Sequence, residues 1–333
     1  MWKKCYLCSR RDKLHLCPKR YKPHPSNLNS QISNLNPQIS NLNPQISNLK
    51  SKYCMLLIAD SGSTKTEWSL VKNNGEVVGL ITQGINPFYQ TDEDIVSILR
   101  YELLDMMEWG SNRFEMVCFY GAGVRPEMKS RMSRLLTEVL AADHVTVDSD
   151  LVGAARALFG HDEGIACILG TGSNSGLYDG RDIVASTPPL GFILGDEGSG
   201  AVLGKQFLGA LYKGLMPEGM REDYERQTGQ TVADVILAVY RKPLPNRYLA
   251  HTSEYILQHI DVQEVSDLVI DSFRQFFRRN LSQYQRKDLP VRTVGSVAAY
   301  YSKWLTLAAE QEGYIIDKIL KNPMPGLIEF HIS

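Results

Sequence analysis

Asp60-Ser-Gly-Ser-Thr-Lys-Thr66 directly follows the apolar run Met55–Ala59. Small residues and hydroxyls therefore stand where a predicted strand ends and the chain reverses. Backbone N–H groups in such turns form concave cradles for phosphate oxygens. The stretch is neither a Walker A loop nor a GxGxxG dinucleotide fingerprint. Alone it indicates only a turn, because most glycine-rich hairpins hold no ligand.

A second turn of the same kind, Gly170-Thr171-Gly172-Ser173-Asn174, follows the apolar run Gly164–Leu169. The two turns lie about a hundred residues apart in the sequence. Two cradles at this separation predict two half-domains that grip one polyphosphate between them.

The order of predicted elements repeats along the chain. Met55–Asp60 is followed by two predicted strands around the Asn73-Asn74-Gly75 turn, which is typical of a hairpin. Gly164–Leu169 is followed by a second pair of strands around Asp179-Gly180. Helices and further strands complete each half, so the sequence predicts a duplicated α/β architecture. Ligands in such folds bind at the carboxyl ends of the strands, where both turns lie.

The first 54 residues differ in character from the rest. A seven-residue repeat, QISNLNP, occupies Gln31–Pro37 and Gln38–Pro44 and recurs as QISNLKS at Gln45–Ser51. The recurring prolines interrupt any helix, and the polar composition predicts disorder. We therefore expect residues 1–54 to be an extension, or a misassigned start, that takes no part in the chemistry.

A zinc site is one interpretation of the extension, since Cys5-x-x-Cys8 is followed by His15, Cys17 and His24. The second group of ligands lacks the usual spacing of a zinc site, so chance is the simpler interpretation.

The charge distribution and hydropathy of the chain argue against nucleic-acid and membrane partners. The first 52 residues hold ten Lys and Arg and a single acid, yet the whole chain carries a net charge of −1, so the main body is acidic. An acidic body argues against nucleic acid as a partner. No apolar run approaches the ~18 residues that span a bilayer, and no secretory signal is recognisable. Cys118 and Cys167 lie inside predicted strands and are expected to be small buried apolar residues rather than disulfide partners. A reducing cytoplasm is the compartment that fits such cysteines, so we expect a cytoplasmic protein without a membrane partner.

A family resemblance follows from the motifs taken together. The arrangement resembles the actin-like ATPase fold of actin, hexokinases and heat-shock chaperones, and within it the chain resembles N-acetylglucosamine kinases. The motifs are DSGSTKTE (60–67), GINPF (84–88), DSDLVGAA (148–155), LGTGSNS (169–175), GFILGDEGSG (191–200) and VGSVA (294–298). The resemblance covers nearly all of residues 55–333. It implies a duplicated, ribonuclease H-like fold with domains at 55–162 and 163–333, a cleft between them, and a C-terminal end that packs back on the first domain.

The resemblance implies an ATP-dependent kinase that phosphorylates the 6-hydroxyl of an N-acetylated amino sugar, with Mg²⁺ and ATP as cofactors. Asp60 would hold Mg²⁺ through water, although a turn-capping role is the alternative. Lys65 is equally consistent with a solvated surface charge. The residues expected around the nucleotide are Gly62, Ser63, Thr64, Lys65, Gly170, Thr171 and Gly172 at the phosphates, and Gly295 and Ser296 beside adenosine.

Phosphoryl transfer to a hydroxyl needs a carboxylate that orients the hydroxyl and takes its proton. Asp148 and Asp150 flank Ser149 just beyond a predicted strand. The resemblance assigns the base to Asp150. Asp148 is the competitor, and Asp150 is also a plausible N-cap of the helix that starts at Leu151.

The resemblance also implies a set of sugar contacts. The alternative interpretation of Asn86 and Asn174 is that they are ordinary loop or turn residues. The alternative for Asp196 and Glu197 is that they are charges at a helix N-terminus. Small residues after the fourth strand leave room for an acetamido group. The expected contacts are Asn86, Gly121, Ala122, Thr171, Asn174, Asp196 and Glu197.

Two other functions compete. Activator ATPases of 2-hydroxyacyl-CoA dehydratases share the superfamily but use cysteines to hold an iron–sulfur cluster, whereas Cys118 and Cys167 lie within predicted strands. A sugar-sensing regulator would need a DNA-binding signal that the acidic body lacks. The choice among N-acetylglucosamine, N-acetylmuramate, glucosamine and N-acetylmannosamine stays open, and a homodimer is compatible with the sequence.

Overall fold

The structure is a computed structural model that describes residues 55–62, 64–107 and 113–333. The interpretations of residues 1–54 and of Ser63 therefore lie outside the described residues. The described chain forms two five-stranded sheets with helices packed around them.

The first sheet carries the first glycine-rich turn. Its strands are β1 Met55–Ser61, β2 Lys65–Lys72, β3 Val77–Gln83, β4 Phe114–Gly121 and β5 Ala142–Ser149. They lie in the order β3-β2-β1-β4-β5. The first three strands form an antiparallel meander, and β4 and β5 run parallel to β1.

The second sheet repeats this topology. Its strands are β6 Gly164–Leu169, β7 Ser173–Tyr178, β8 Ile183–Ser186, β9 Val291–Val294 and β10 Ile316–Leu320. The order is β8-β7-β6-β9-β10, again with an antiparallel meander followed by two strands parallel to the first. The duplicated α/β fold predicted from the sequence is confirmed. The domain boundaries at residues 54 and 162 stay predictions.

The helices are distributed unevenly between the two halves. Those of the first half are α1 Asp92–Ile98, α2 Pro126–Leu140 and α3 Asp150–Phe159. The others are α4 Gly191–Leu194, α5 Gly200–Tyr212, α6 Met220–Thr228, α7 Val232–Tyr240, α8 Pro245–His251, α9 Ser253–Gln258, α10 Gln263–Arg279, α11 Ser296–Tyr300, α12 Ser302–Gln311 and α13 Met324–Ile332. None of the helices in the described ranges is long and apolar enough to cross a membrane.

Two helical segments are irregular. Helix α1 continues as a π-helix at Leu99–Leu104. Helices α11 and α12 are separate, because Tyr301 between them leaves the helical conformation. The Tyr301 side chain is buried, and its hydroxyl donates a hydrogen bond to the carbonyl oxygen of Ser253 at 2.5 Å.

The C-terminal helix α13 packs on the first sheet although it follows the last strand of the second. Leu327, Ile328 and Ile332 share one buried apolar cluster with Leu56 and Ile58 of β1. The same cluster includes residues of α3, so α13 and α3 cover this face of the sheet together. The C-terminal residues thus complete the core of the half that begins the described chain.

Leu327→Ala is expected to lower the free energy of unfolding by about 2–5 kcal/mol, since it leaves a cavity in this cluster. Leu327 is fully buried, whereas Leu307 on α12 is 40% exposed. Leu307→Ala is the matched control and should change stability by less than about 0.5 kcal/mol. Urea denaturation measures both variants, and equal losses would contradict the packing described for α13.

Candidate active site

A cleft of about 530 Å³ opens at the carboxyl ends of the central strands of both sheets. The first half contributes the acidic side chains and Lys65, and the second half contributes apolar and small residues together with Lys321 and Asn322. The lining includes Asp60, Ser61, Gly62, Lys65, Glu67 and Asp150 from the first half, and Ile168, Val294, Gly295, Ser296, Lys321, Asn322 and Pro323 from the second. Residues of both halves therefore share one cleft, at the edge predicted from the sequence.

Strand register aligns Asp60 with its neighbours. Asp60 of β1 pairs with Tyr120 of β4, and Tyr120 pairs with Asp148 of β5. Paired residues on adjacent strands point to the same face of a sheet. The three side chains therefore lie on the face that α3 and α13 cover.

Asp60 lies in a strongly acidic environment. Burial, together with the negative charges of Glu67 and Asp150, raises the pKa of Asp60 to about 7, although the positive charge of Lys65 lowers it. A carboxylate with acidic neighbours gains from a bound cation. Within the described ranges no group of three His, Cys, Asp or Glu side chains could hold a metal ion. Asp60 fits the mode in which Mg²⁺ keeps several waters and relies on one or two carboxylates and substrate phosphates.

Glu67 is a cleft residue for which the sequence predicted no role. It lies opposite Asp60 in β2 and is only 7% exposed. Its carboxylate accepts hydrogen bonds from the Lys65 ammonium group and from the Asn322 side-chain amide. Asn322 follows β10, so this contact joins the two halves. The signal in the sequence is an acid two residues beyond Lys65, on the same face of a predicted strand.

The Lys65 ammonium group forms an ion pair with Glu67 in this structure. A contact with phosphate would require the side chain to leave that pair. Because the Lys65 side chain is more than half exposed, such a movement needs no rearrangement of the core.

Asp150 is the first residue of α3 and lines the cleft. Ser149 caps the helix, since its hydroxyl accepts a hydrogen bond from the backbone N–H of Val152. One Asp150 carboxylate oxygen accepts from the N–H of Leu151 at 2.9 Å. Burial raises the pKa of Asp150, which makes the carboxylate a better proton acceptor near neutral pH.

Asp148, the competing base, has a different environment. Its Oδ1 is 2.6 Å from Lys129 Nζ, and its Oδ2 is 2.9 Å from Arg156 Nη1. Both carboxylate oxygens are thus held by cations, and Asp148 does not line the cleft. The geometry favours Asp150 over Asp148 as a proton acceptor.

Tyr120 fixes the helix that carries Asp150. Its hydroxyl accepts a hydrogen bond from Arg156 Nη1 at 2.9 Å and lies 2.8 Å from Nε2 of His331. Gly153 of α3 lies directly on the ring, where a Cβ atom would come within 2.8 Å of the Tyr120 side chain. Tyr120 therefore connects β4 to both α3 and α13.

The second glycine-rich turn is held by the start of α5. Gly170 donates its backbone N–H to the carbonyl oxygen of Gly172 at 2.9 Å, which closes the turn. The N–H groups of Gly200 and Ala201 donate to carbonyl oxygens within the turn at 2.8 and 3.1 Å. Gly295 lies beside it with a φ of +130°, and a Cβ there would come within 2.2 Å of a backbone oxygen at the end of β6.

A second cavity of about 570 Å³ brings the two glycine-rich turns together. Thr64 of the first turn and Gly170 and Thr171 of the second line it, and Ser296 belongs to both cavities. Helical residues without a recognisable motif form the far wall, so the sequence offered no signal for them. These residues include Arg247, Ala250, His251, Glu254, Leu257 and Tyr300.

The sugar candidates of the first half lie near the ends of β1 and β4. Asn86 is 8% exposed and packs on Gly123, and its side-chain oxygen accepts from the N–H of Phe88 at 3.1 Å. Gly121 ends β4, and Ala122 donates its N–H to the carbonyl oxygen of Ser61 at 2.8 Å.

The two acidic residues predicted to contact the sugar from the second half, Asp196 and Glu197, lie in different environments. The Asp196 carboxylate packs against the Cα of Gly172 in the second turn. Burial, together with the negative charge of Glu197, raises the pKa of Asp196 to about 6. The Glu197 carboxylate lies 3.2 Å from both Arg279 Nη1 and Asn280 Nδ2, so it is engaged with the end of α10.

Asn174 lies in β7, and its side-chain oxygen accepts from the N–H of Ser175 at 2.9 Å. Asn86, Asn174, Asp196 and Glu197 line neither of the two cavities. The structure thus brings Gly62 and Lys65 together with Asp150 in the cleft, and it brings Thr64, Gly170 and Thr171 together in the second cavity. Of the predicted sugar contacts, Thr171 alone lines either cavity.

Comparison with solved structures identifies the family. A crystal structure from Porphyromonas gingivalis, described as a putative N-acetylglucosamine kinase, is 48% identical, with a TM-score of 0.81. The match covers 84% of this chain and 99% of that one. The chain belongs to the N-acetylglucosamine kinase family of actin-like ATPases. It is a sugar kinase, that is, a phosphotransferase with an alcohol group as acceptor, as the motifs predicted.

More distant structures share the fold of this kinase. A putative N-acetylglucosamine kinase from Chromobacterium violaceum is 17% identical, with a TM-score of 0.66, and the match covers 84% of this chain and 99% of that one. The ethanolamine utilization protein EutJ from Carboxydothermus hydrogenoformans is 15% identical, with a TM-score of 0.50, over 92% of this chain and 100% of that one. A scan against protein-family models finds no match, and neither does a search of curated proteins.

The raised pKa of Asp60 predicts a pH-dependent stability for the kinase without ligands. The folded state holds a proton between the ordinary pKa of 3.8 and about 7 that the unfolded state has lost. Stability should therefore fall by a few kcal/mol as pH rises through that window. Asp60→Asn should be more stable than the wild type at pH 8 and reduce this dependence.

Urea denaturation at pH 5.5 and pH 8, with a chelator and without nucleotide, measures the effect. Asp105→Asn replaces an exposed carboxylate and is the control, which should retain the pH dependence of the wild type. An Asp60→Asn variant with the same pH dependence as the wild type would show that the acidic environment of Asp60 is unimportant for stability.

Proposed function

We propose that this sugar kinase transfers the γ-phosphoryl group of ATP to the 6-hydroxyl of an N-acetylated amino sugar, with N-acetylglucosamine as the first candidate. The observation that carries the proposal is Asp150, a proton acceptor without a bound cation, in the cleft that adjoins the cavity between both glycine-rich turns. The relative from Porphyromonas gingivalis, described as a putative N-acetylglucosamine kinase, supports the choice of sugar.

ATP lies along the second cavity in this proposal. The backbone N–H groups of Thr64, Thr171 and Gly172 bind the phosphates from opposite sides, and Gly62 and Gly170 let the backbone come close because they lack side chains. Gly295 and Ser296 adjoin adenosine. Asp60 holds Mg²⁺ through water. When bound, the ion neutralises charge on the β- and γ-phosphates. Lys65 exchanges Glu67 for a phosphate oxygen as the nucleotide binds.

Asp150 orients the sugar hydroxyl and takes its proton as the phosphoryl group moves. Its position at the start of a helix held by Tyr120 limits its movement, and correct orientation of a reacting group contributes strongly to rate. Asp148 keeps Arg156 and Lys129 in place and so acts on the base only indirectly.

The sugar binds between the two halves. Asn86, Gly121 and Ala122 contact it from the first half, and the gap at Gly121 and Ala122 accepts the acetamido group. Thr171, Asn174 and Asp196 contact it from the second half. Glu197 belongs to the same segment, and its bonds to α10 support the loop that carries Asp196. Because these contacts are separate in the structure without ligand, sugar binding closes the cleft.

A coupled ADP-release assay with a panel of amino sugars tests the function. N-acetylglucosamine should give the highest kcat/KM, ahead of N-acetylmuramate, glucosamine and N-acetylmannosamine. ATP hydrolysis without sugar should be slow, because the site is complete only when a hydroxyl occupies it. Fast hydrolysis that no sugar stimulates would contradict the proposal and favour an activator-type ATPase.

Asp150→Asn should lower kcat by about 10²–10⁴-fold, because the general base is lost. The affinity for ATP, measured by calorimetry, should stay within a few-fold of the wild type. Asp148→Asn is the matched control and should retain much more activity. The reverse order of the two variants would assign the base to Asp148.

A further inference from the structure

Helix α7 has apolar residues on two opposite sides. Its sequence, Val-Ala-Asp-Val-Ile-Leu-Ala-Val-Tyr, contains a single charged residue. Val235 and Ala238 are buried against the rest of the second half. On the opposite side, Ile236, Leu237 and Tyr240 are 54%, 47% and 78% exposed. A surface helix is normally polar on its outer face, and a helix that is apolar all round is normally buried.

The exposed face extends beyond these three residues. Val232 at the start of α7 and Leu244 just beyond its end are also exposed. Monomeric proteins rarely expose contiguous apolar patches larger than a few hundred Å², and larger ones mark interaction sites. We call the five residues 232, 236, 237, 240 and 244 the α7 face.

We propose that the α7 face is the contact surface between two copies of this chain, in which the two α7 helices pack antiparallel across a two-fold axis. Charge complementarity argues for a second copy. Asp234 lies in the first turn of α7, and Arg241 is the residue that follows its last turn. Seven residues correspond to almost two full turns, so both charges lie along the same edge of the helix.

An antiparallel pair makes this edge complementary to itself. The two-fold rotation that relates the copies places the start of one helix beside the end of the other. It also keeps the charged edges of both helices on the same side of the contact. Asp234 of each copy then faces Arg241 of the other, giving two symmetric ion pairs beside the apolar contact. A parallel two-fold pair would place the charged edges of the two copies on opposite sides of the contact, where these ion pairs could not form.

The Asp234 carboxylate has the capacity for this extra partner. It accepts from the N–H and hydroxyl of Thr231 in a capping box at 2.9 and 2.6 Å, through Oδ2. A carboxylate offers about four acceptor positions on its two oxygens. The apolar centre and the charged edge together match the usual anatomy of a protein interface.

The contact would lie close to the second cavity, in which we propose that ATP binds. Helix α7 packs on α8, and Arg247, Ala250 and His251 of α8 line that cavity. A second copy held by α7 would therefore stiffen one wall of the cavity. The proposal itself does not depend on which sugar is phosphorylated.

Analytical ultracentrifugation of the full chain over a wide concentration range tests the proposal. The wild type should sediment as a dimer, and Ile236→Asp should raise the dissociation constant at least ~100-fold, as expected at an interface centre. Ile315→Asp is the matched control, because Ile315 is an exposed isoleucine just before β10, and it should remain dimeric. Thermal unfolding by circular dichroism should be similar in both variants, since both side chains are exposed.

A charge exchange tests the antiparallel arrangement. Arg241→Asp should weaken the dimer about tenfold, because two acids then face each other, and addition of Asp234→Lys should restore it. A monomeric wild type, or a dimer that Ile236→Asp leaves intact, would overturn the proposal. Failure of the double variant to restore a dimer that Arg241→Asp weakens would overturn the antiparallel pairing.

Discussion

The burial of Tyr120 between the first sheet and two helices is the constraint on which the candidate active site depends. Its hydroxyl would cost about 1–3 kcal/mol if it were buried without partners. Burial raises the pKa of Tyr120, so the hydroxyl keeps its proton and can donate to His331 while it accepts from Arg156. The same ring determines how closely α3 approaches the sheet. The contacts of Tyr120 with α3 thus help to hold Asp150, the first residue of that helix, at the cleft.

The two halves share a topology but differ in chemistry at equivalent places. The first strand of the first half ends in acidic surroundings, with Asp60, Glu67 and Asp150 together. The first strand of the second half ends in a neutral turn at Gly170 whose carbonyls are held by α5. The acidic residues line the cleft, and the neutral turn lines the adjoining second cavity. This asymmetry suits a ligand that combines a cation with phosphates, because the cation meets the carboxylates and the phosphates meet backbone N–H groups.

Local patterns predicted much of the fold and part of the site. The apolar runs before Asp60 and Gly170 are strands because their side chains are buried on both faces. Contacts between distant segments could not be predicted, since they depend on packing that no local pattern encodes. Examples are the bond of Asn322 with Glu67 and the two cations on Asp148. The sequence therefore left Asp148 and Asp150 as alternatives, and the difference in their partners became visible only in three dimensions.

The packing of α13 has a consequence for how the chain reaches its folded state. Strands β1 and β2 leave the ribosome before the second half, yet Leu56, Ile58 and Val71 share their cluster with Leu327, Ile328 and Ile332. The first half can complete this cluster only after residues 324–332 have been synthesised. Until then its apolar face stays exposed, and such surfaces favour aggregation and chaperone binding. If the first half folded alone, this face of its sheet would stay uncovered, so the cluster is complete only when both halves are present.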